Sequence, residues 1–191
     1  DLLGEKIKVV GNLAYIFNSY FNRVEIVNVS NPATPFLVGS VNTIGGATQI
    51  TVAGKYLYLS GWAVQILDVS NSSNPTVVGN FSTPDTAEGI VVAGNYAYVP
   101  NRFYGTKILD ISDPSAPFLA GRHDIPITAN SAQVDADNIY IIAGENGFAV
   151  AERAPGLNTR YTEGAAGSFL GYTVGWRDTE IPANVQVRCQ V

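Results

Sequence analysis

Repeated four-stranded β units are what this sequence predicts, and three features predict them. One phrase occurs three times, as VEIVNVSNPATPFLVG (24–39), VQILDVSNSSNPTVVG (64–79) and TKILDISDPSAPFLAG (106–121). A second phrase precedes each copy, as VVGNLAYIF (9–17), VAGKYLYLS (52–60) and VAGNYAYVP (92–100). The composition is that of strands: no Met, few Lys, and abundant Val, Ile, Thr, Asn, Gly and aromatic residues.

A fourth copy, VDADNIYIIAG (134–144), is followed by a degraded partner, GFAVAERAPG (147–156). Tyr15, Tyr58, Tyr98 and Tyr140 mark the register at spacings of 43, 40 and 42 residues. A recurrence of this length, built only from strand-like segments, is that of one propeller blade. The fold expected is therefore all-β: a four-bladed or incomplete β-propeller of four-stranded repeats, followed by a C-terminal β-hairpin. The repeats fall at about 1–43, 44–83, 84–126 and 127–168, with the tail at 169–191.

The elements follow in order, taking the second unit as the type. Strand a covers about Thr48–Val52, strand b Tyr56–Ser60, strand c Val64–Val69 and strand d Thr76–Phe81. The a–b turns carry Gly11-Asn12, Gly54-Lys55 and Gly94-Asn95, where glycine supplies the positive φ of a tight hairpin. The c–d turns read Ser-Asn-Pro or a variant, in which Asn and Asp side chains close the turn on their own backbone. Pro35, Pro75 and Pro117 then open strand d. Strand d is outermost in a blade, and an edge tolerates a residue without an amide donor.

These phrases resemble the LVIVD-repeat family, secreted or surface proteins whose repeats are similar to propeller blades. The resemblance covers roughly residues 4–150 and is carried by ILDVSN, ILDISDP and the Pro and Val/Ala-Gly that follow. It implies a fold and a surface location more than an activity. The sequence departs from the family in its b–c loops, commonly rich in Gly and Asp but here NSYFN (18–22), SGW (60–62) and NRFYG (101–105).

Composition excludes several classes of function. The net charge is −5, with Lys and Arg scattered, so no basic stripe is available for nucleic acid. No apolar run approaches the roughly 18 residues of a membrane span. The single cysteine, Cys189, excludes an internal disulfide framework and reads as a small packing side chain, with an intermolecular bridge as the alternative. The chain starts at Asp1 and has no Met. Removal of a secretory leader fits that start. Asn28, Asn71 and Asn80 lie in sequons that a secreted protein could glycosylate.

The tail, FLGYTVGW (169–176) and NVQVRCQV (184–191), reads as two strands. In the second, Val185, Val187, Cys189 and Val191 share one face. A lone hairpin is marginal in water, so three readings stay open: docking on its own blades, strand addition to another chain, or the start of a further domain.

Each candidate site has a plainer reading beside it. Asn28, Asp68 and Asp110 share one repeat position and could ring a cation. The plainer reading is turn closure, since Asn28 replaces the acid without disturbing the pattern. Asp135-Ala-Asp137-Asn138 starts like a calcium loop, but Ile139 and Tyr140 stand where a ligand and a glycine are needed, and the register places it on an a–b turn. His123, the only histidine, ends a strand d and is read as a surface residue. Asp85, Glu88 and Glu145 could furnish a carboxylate pair for glycoside chemistry, with Asp85 and Glu88 in a d–a connection.

The aromatic b–c loops are the best candidate. Tyr20, Phe21, Trp62, Phe103 and Tyr104 recur at one blade position, with Phe148 at the corresponding place in the fourth unit. The d–a loops, emerging on the same face, add Thr43, Ile44, Thr83, Pro84, Asp85, Ile125 and Pro126. Aromatics beside polar groups suit a protein hot spot or sugar stacking. The plainer reading is that they close the small core. The expectation is a secreted, non-enzymatic interaction module without cofactor or metal, whose partner is a protein, a second copy first. A glycan- or peptide-binding propeller is the alternative and a hydrolase the third reading.

Overall fold

The computed structural model describes residues 5–83, 85–101, 105–123, 129, 131–136, 138–142, 148–153 and 159–160. Every regular element among them is a strand, and the strands form four antiparallel four-stranded sheets, each made of strands consecutive in the chain. The first comprises β1 (Lys6–Val10), β2 (Leu13–Asn18), β3 (Arg23–Asn28) and β4 (Phe36–Asn42). The second comprises β5 (Ala47–Ala53), β6 (Tyr56–Gly61), β7 (Ala63–Asp68) and β8 (Thr76–Ser82). The third runs β9 (Val91–Ala93), β10 (Tyr96–Pro100), β11 (Thr106–Asp110) and β12 (Phe118–His123). The fourth runs β13 (Ser131–Val134), β14 (Asn138–Ile142), β15 (Phe148–Arg153) and β16 (Thr159–Arg160).

The innermost strands adjoin in succession, β1 against β5, β5 against β9 and β9 against β13. The sheets therefore stack as propeller blades, face to face in chain order. The strand limits expected for the second unit hold to within a residue. The tail hairpin, with Val185, Val187, Cys189 and Val191, lies outside the described residues.

Packing follows from the two faces of each blade. Within a strand, side chains alternate between faces. Tyr15, Phe17, Val24 and Ile26 of the first blade meet Ile50, Leu57, Leu59, Leu67 and Val69 of the second. Tyr58, Val64 and Ile66, on the second blade's other face, meet Ile90, Ala97, Val99, Leu109 and Ile111 of the third. Tyr98 and Ile108 continue the series onto Ala132, Ile139 and Ile141 of the fourth. Both faces of an inner blade are thus apolar, and no blade hides its surface without its neighbours.

The turns keep the register. Gly11, Gly54 and Gly94 have φ of 57°, 59° and 59°, as the a–b hairpins require. The c–d turns of the first three blades are each closed by two side chains in series. Asp68 Oδ1 accepts from the Ser70 N–H at 2.9 Å and its hydroxyl at 2.5 Å, and Asn71 Oδ1 accepts from the Ser73 N–H at 3.2 Å and its hydroxyl at 2.8 Å. Asn28, Asp110 and Asp113 do the same in the first and third blades, and Asn31 accepts the Ala33 N–H alone at 3.1 Å. A β-bulge in strand d then leaves Val38, Val78 and Ala120 unmatched across the ladder. Val38 and Val78 pack into the cores between blades.

Candidate functional site

The aromatic loops sit at one end of the blades, and hydrogen bonds tie them to the d–a connectors. The first b–c loop is short because Asn22 adopts φ 47° and the Asn18 carboxamide accepts the Phe21 N–H at 3.2 Å. Tyr20 meets Phe21 edge-on, with ring centroids 4.9 Å apart. The Arg23 guanidinium lies 4.8 Å from the Phe21 centroid and also pairs with the buried Glu25 carboxylate. Phe21 is thereby held between Tyr20 and a cation that is itself anchored.

The second loop is a single residue, Trp62, between β6 and β7. The Trp62 carbonyl accepts the Thr83 hydroxyl at 3.3 Å. The connector from the first to the second blade links the two loops. The Thr43 N–H donates to the Asn22 carbonyl at 2.7 Å, and Gly45, at φ 69°, lies against the Trp62 side chain. Between them Ile44 is clamped by Gln65, which accepts the Ile44 N–H and donates to the Ile44 carbonyl, both at 2.7 Å.

Tyr20 and Trp62 are each 76% exposed, and Phe21 and Ile44 are exposed with them. These side chains do not close the core, so the plainer reading fails for them. Phe103, Tyr104, Pro84, Ile125 and Pro126 lie outside the described residues. Phe148 opens β15, opposite Ile142 in the ladder, rather than standing in a loop. The half-buried Asp85 accepts the N–H of Thr86 at 2.7 Å, and its carbonyl accepts Nδ2 of Asn101, also at 2.7 Å. Asp85 therefore shapes its connector, while Glu145 lies outside the described residues.

The acids at the opposite end serve the turns. Asn28, Asp68 and Asp110 each accept from a serine two residues on, and among the described residues no three metal-binding side chains gather. Asp135 likewise accepts the Asn138 N–H at 2.7 Å and the Tyr140 hydroxyl at 2.6 Å, closing the β13–β14 turn. Asp137 lies outside the described residues. His123 is the last residue of β12.

The Ser70 hydroxyl and N–H hold the Asp68 carboxyl below its ordinary value, with Lys55 assisting; Ser115 does the same to Asp113. A carboxyl lowered in the folded state stabilises the fold above its unfolded pKa, and that contribution fades as pH falls through the folded value. Melting curves should therefore show a stability advantage of the wild type over the double variant Asp68→Asn, Asp113→Asn at neutral pH. The advantage should shrink below the ordinary carboxylate value of 3.8. A gap that widens with acid would refute this account of the turns.

Three further polar residues stand at the second position of the repeated phrase. Glu25, Gln65 and Lys107 occupy the same position of strand c, and all three are buried. Gln65 grips the connector, and Lys107 Nζ lies 3.4 Å from the Asn101 carboxamide oxygen. Their signal in the sequence is a polar residue between two others in VEI, VQI and TKI.

Radially stacked blades with a loop-built surface at one end define a β-propeller repeat module. The chain belongs to the LVIVD repeat family, whose model matches residues 4–43, 44–83 and 85–125. Among solved structures it is similar to one described as a "putative 6-phosphogluconolactonase" from Bacteroides uniformis, with a TM-score of 0.69 at 14% identity. The match covers 82% of this chain and 53% of that one, so the present chain spans about half the length of that structure. At that identity the likeness is one of fold. No curated protein matches the chain.

Proposed function

We propose that this chain is a non-enzymatic interaction module of a secreted or cell-surface assembly, engaging a protein partner through the b–c loop face. The observation that carries the reading is the exposure of Tyr20, Phe21 and Trp62 on loops whose backbones are fixed. Rigid, exposed aromatics bury large area on binding with little loss of conformational freedom, which is the character of interface hot spots. The Arg23 guanidinium beside Phe21 supplies the polar rim such a patch needs. Secretion is supported by the family resemblance and by the sequons at Asn28, Asn71 and Asn80, of which Asn71 and Asn80 are exposed.

The test is differential capture. Proximity labelling with the wild type and with Tyr20→Ala, Trp62→Ala should yield a surface protein that the double variant loses. The expected weakening is at least about 30-fold in affinity. Both residues are largely solvated, so melting temperatures should stay within a few degrees. An identical capture profile for the two proteins would overturn the proposal, and binding to a glycan array that vanishes with Trp62 would move the ligand to carbohydrate.

A further inference from the structure

At Ile44 an exposed aliphatic side chain stands on a fixed backbone. It is 62% exposed, yet its N–H and its carbonyl are both taken by the side chain of Gln65, at 2.7 Å each. Gln65 is itself buried and reaches Ile44 from the middle of β7. A buried carboxamide is costly unless both of its ends are satisfied, and the Ile44 backbone satisfies both.

The residues on either side of Ile44 join it to both aromatic loops. The Thr43 N–H donates to the carbonyl of Asn22, the last residue of the loop that carries Tyr20 and Phe21. A Cβ on Gly45 would stand 3.8 Å from Trp62 Cβ. A Cβ on Gly61 would stand 2.0 Å from the Gly46 carbonyl oxygen, so the connector's backbone rests on the strand that leads into Trp62. Ile44 therefore bridges the two loops, and the surface they make runs from the first blade to the second.

The polar side chains that hold this surface are committed within the chain. The Asn18 carboxamide accepts the Phe21 N–H, and the Thr83 hydroxyl donates to the Trp62 carbonyl. Arg23 is paired with Glu25 and covers Phe21, and Gln65 is consumed at both ends by Ile44. What is offered outward is aromatic and aliphatic. Sugar hydroxyls need donors and acceptors placed to meet them, and a charged group needs an uncommitted counter-charge.

We propose that Ile44 is the apolar anchor of the loop face and Gln65 its positioning residue. The occupant is an uncharged protein segment that presents aliphatic or aromatic side chains. The role of Ile44 rests on the loop face being a protein-binding surface, as proposed above. Gln65 touches no partner; it acts by holding the Ile44 backbone in register with Phe21 and Trp62, so that little ordering remains to be done on binding.

The probe is a phage-displayed library of random peptides, selected on the immobilised full chain, with the Tyr20→Ala, Trp62→Ala protein as counter-target. Surviving peptides should carry several aliphatic or aromatic residues and no net charge. Their affinity, read by calorimetry, should fall about tenfold with Ile44→Ser and about tenfold with Gln65→Leu. Because Gln65 acts through Ile44, the double variant should lose much less than the product of the two single effects. Amide exchange at Ile44 should quicken in Gln65→Leu while the strand amides around residue 65 stay slow. Ile44→Ser alters an exposed side chain, so it should fold as the wild type does and tests the anchor by itself should Gln65→Leu unfold. Peptides that bind both single variants as tightly as the wild type would overturn the assignment and leave the loop face standing. Losses that multiply in full would remove the positioning role, and a selected set rich in charged residues would remove the partner class. Enrichment indifferent to Tyr20 and Trp62, or none, would sink the loop face and the assignment together.

Discussion

Alanine at Gly79 is expected to destabilise the protein by about 3 kcal/mol, the upper part of the range for forcing extra volume into a packed interior. For a domain of this size that is a fall of roughly 6–12 °C in melting temperature. The reason is a close approach between blades. A Cβ on Gly79 would stand 1.9 Å from the Pro114 carbonyl oxygen and 3.3 Å from Pro117 Cδ, both in the c–d turn of the next blade. Gly39 meets the carbonyl of Ser72 in the same way, at 2.3 Å. In both cases the obstacle is backbone, pinned by the paired Asn and Asp caps of its turn, so a side-chain shift cannot relieve it. The bulge at Val78 turns its side chain into the core between blades beside this contact, so the backbone of β8 is held as well. Gly54 is the control. It has φ 59°, and a Cβ there would meet nothing within 4 Å, so alanine costs about 1 kcal/mol, from backbone conformation alone. Thermal melts of the two variants decide the matter. A Gly79→Ala protein that melts with the wild type, or above Gly54→Ala, would show that the blades are not held by this contact.

That contrast also marks what the sequence could disclose. Gly54 was legible because the demand on it is local: a hairpin of two residues between strands of known phase needs positive φ. The tyrosine register and the Asn and Asp caps were legible for the same reason. Gly79 was visible as a repeated letter only, because its constraint comes from Pro114 in the next blade. Glu25, Gln65 and Lys107 were hidden by a different effect. Alternation of apolar and polar residues ordinarily marks a strand with one wet face. Here strand c is covered on both sides, and the polar side chains pair with protein groups: Glu25 with Arg23, Gln65 with Ile44 and Lys107 with Asn101. The aromatic loops were legible in part: Tyr20, Phe21 and Trp62 stand where the repeat places them, whereas Phe148 belongs to β15. The degraded phrase that follows the fourth tyrosine gave no turn signal from which to set that strand's start.

Ile50→Ala is expected to cost about 3 kcal/mol, while the same change at Ile7 alters the stability of the dilute single chain by no more than about 0.5 kcal/mol. The two isoleucines are equivalent in repeat position and in strand type. They differ in one respect: Ile50 is packed against the first blade and Ile7 faces solvent. Truncating Ile50 removes buried methyl groups and leaves a cavity in the layer formed by Tyr15, Phe17 and Leu59, which a β-sheet cannot collapse to fill. Truncating Ile7 removes surface that water already reaches. Denaturant titrations at low concentration compare them directly. If Ile50→Ala unfolds no more readily than Ile7→Ala when dilute, the apolar layer between the first two blades is not what sustains the fold.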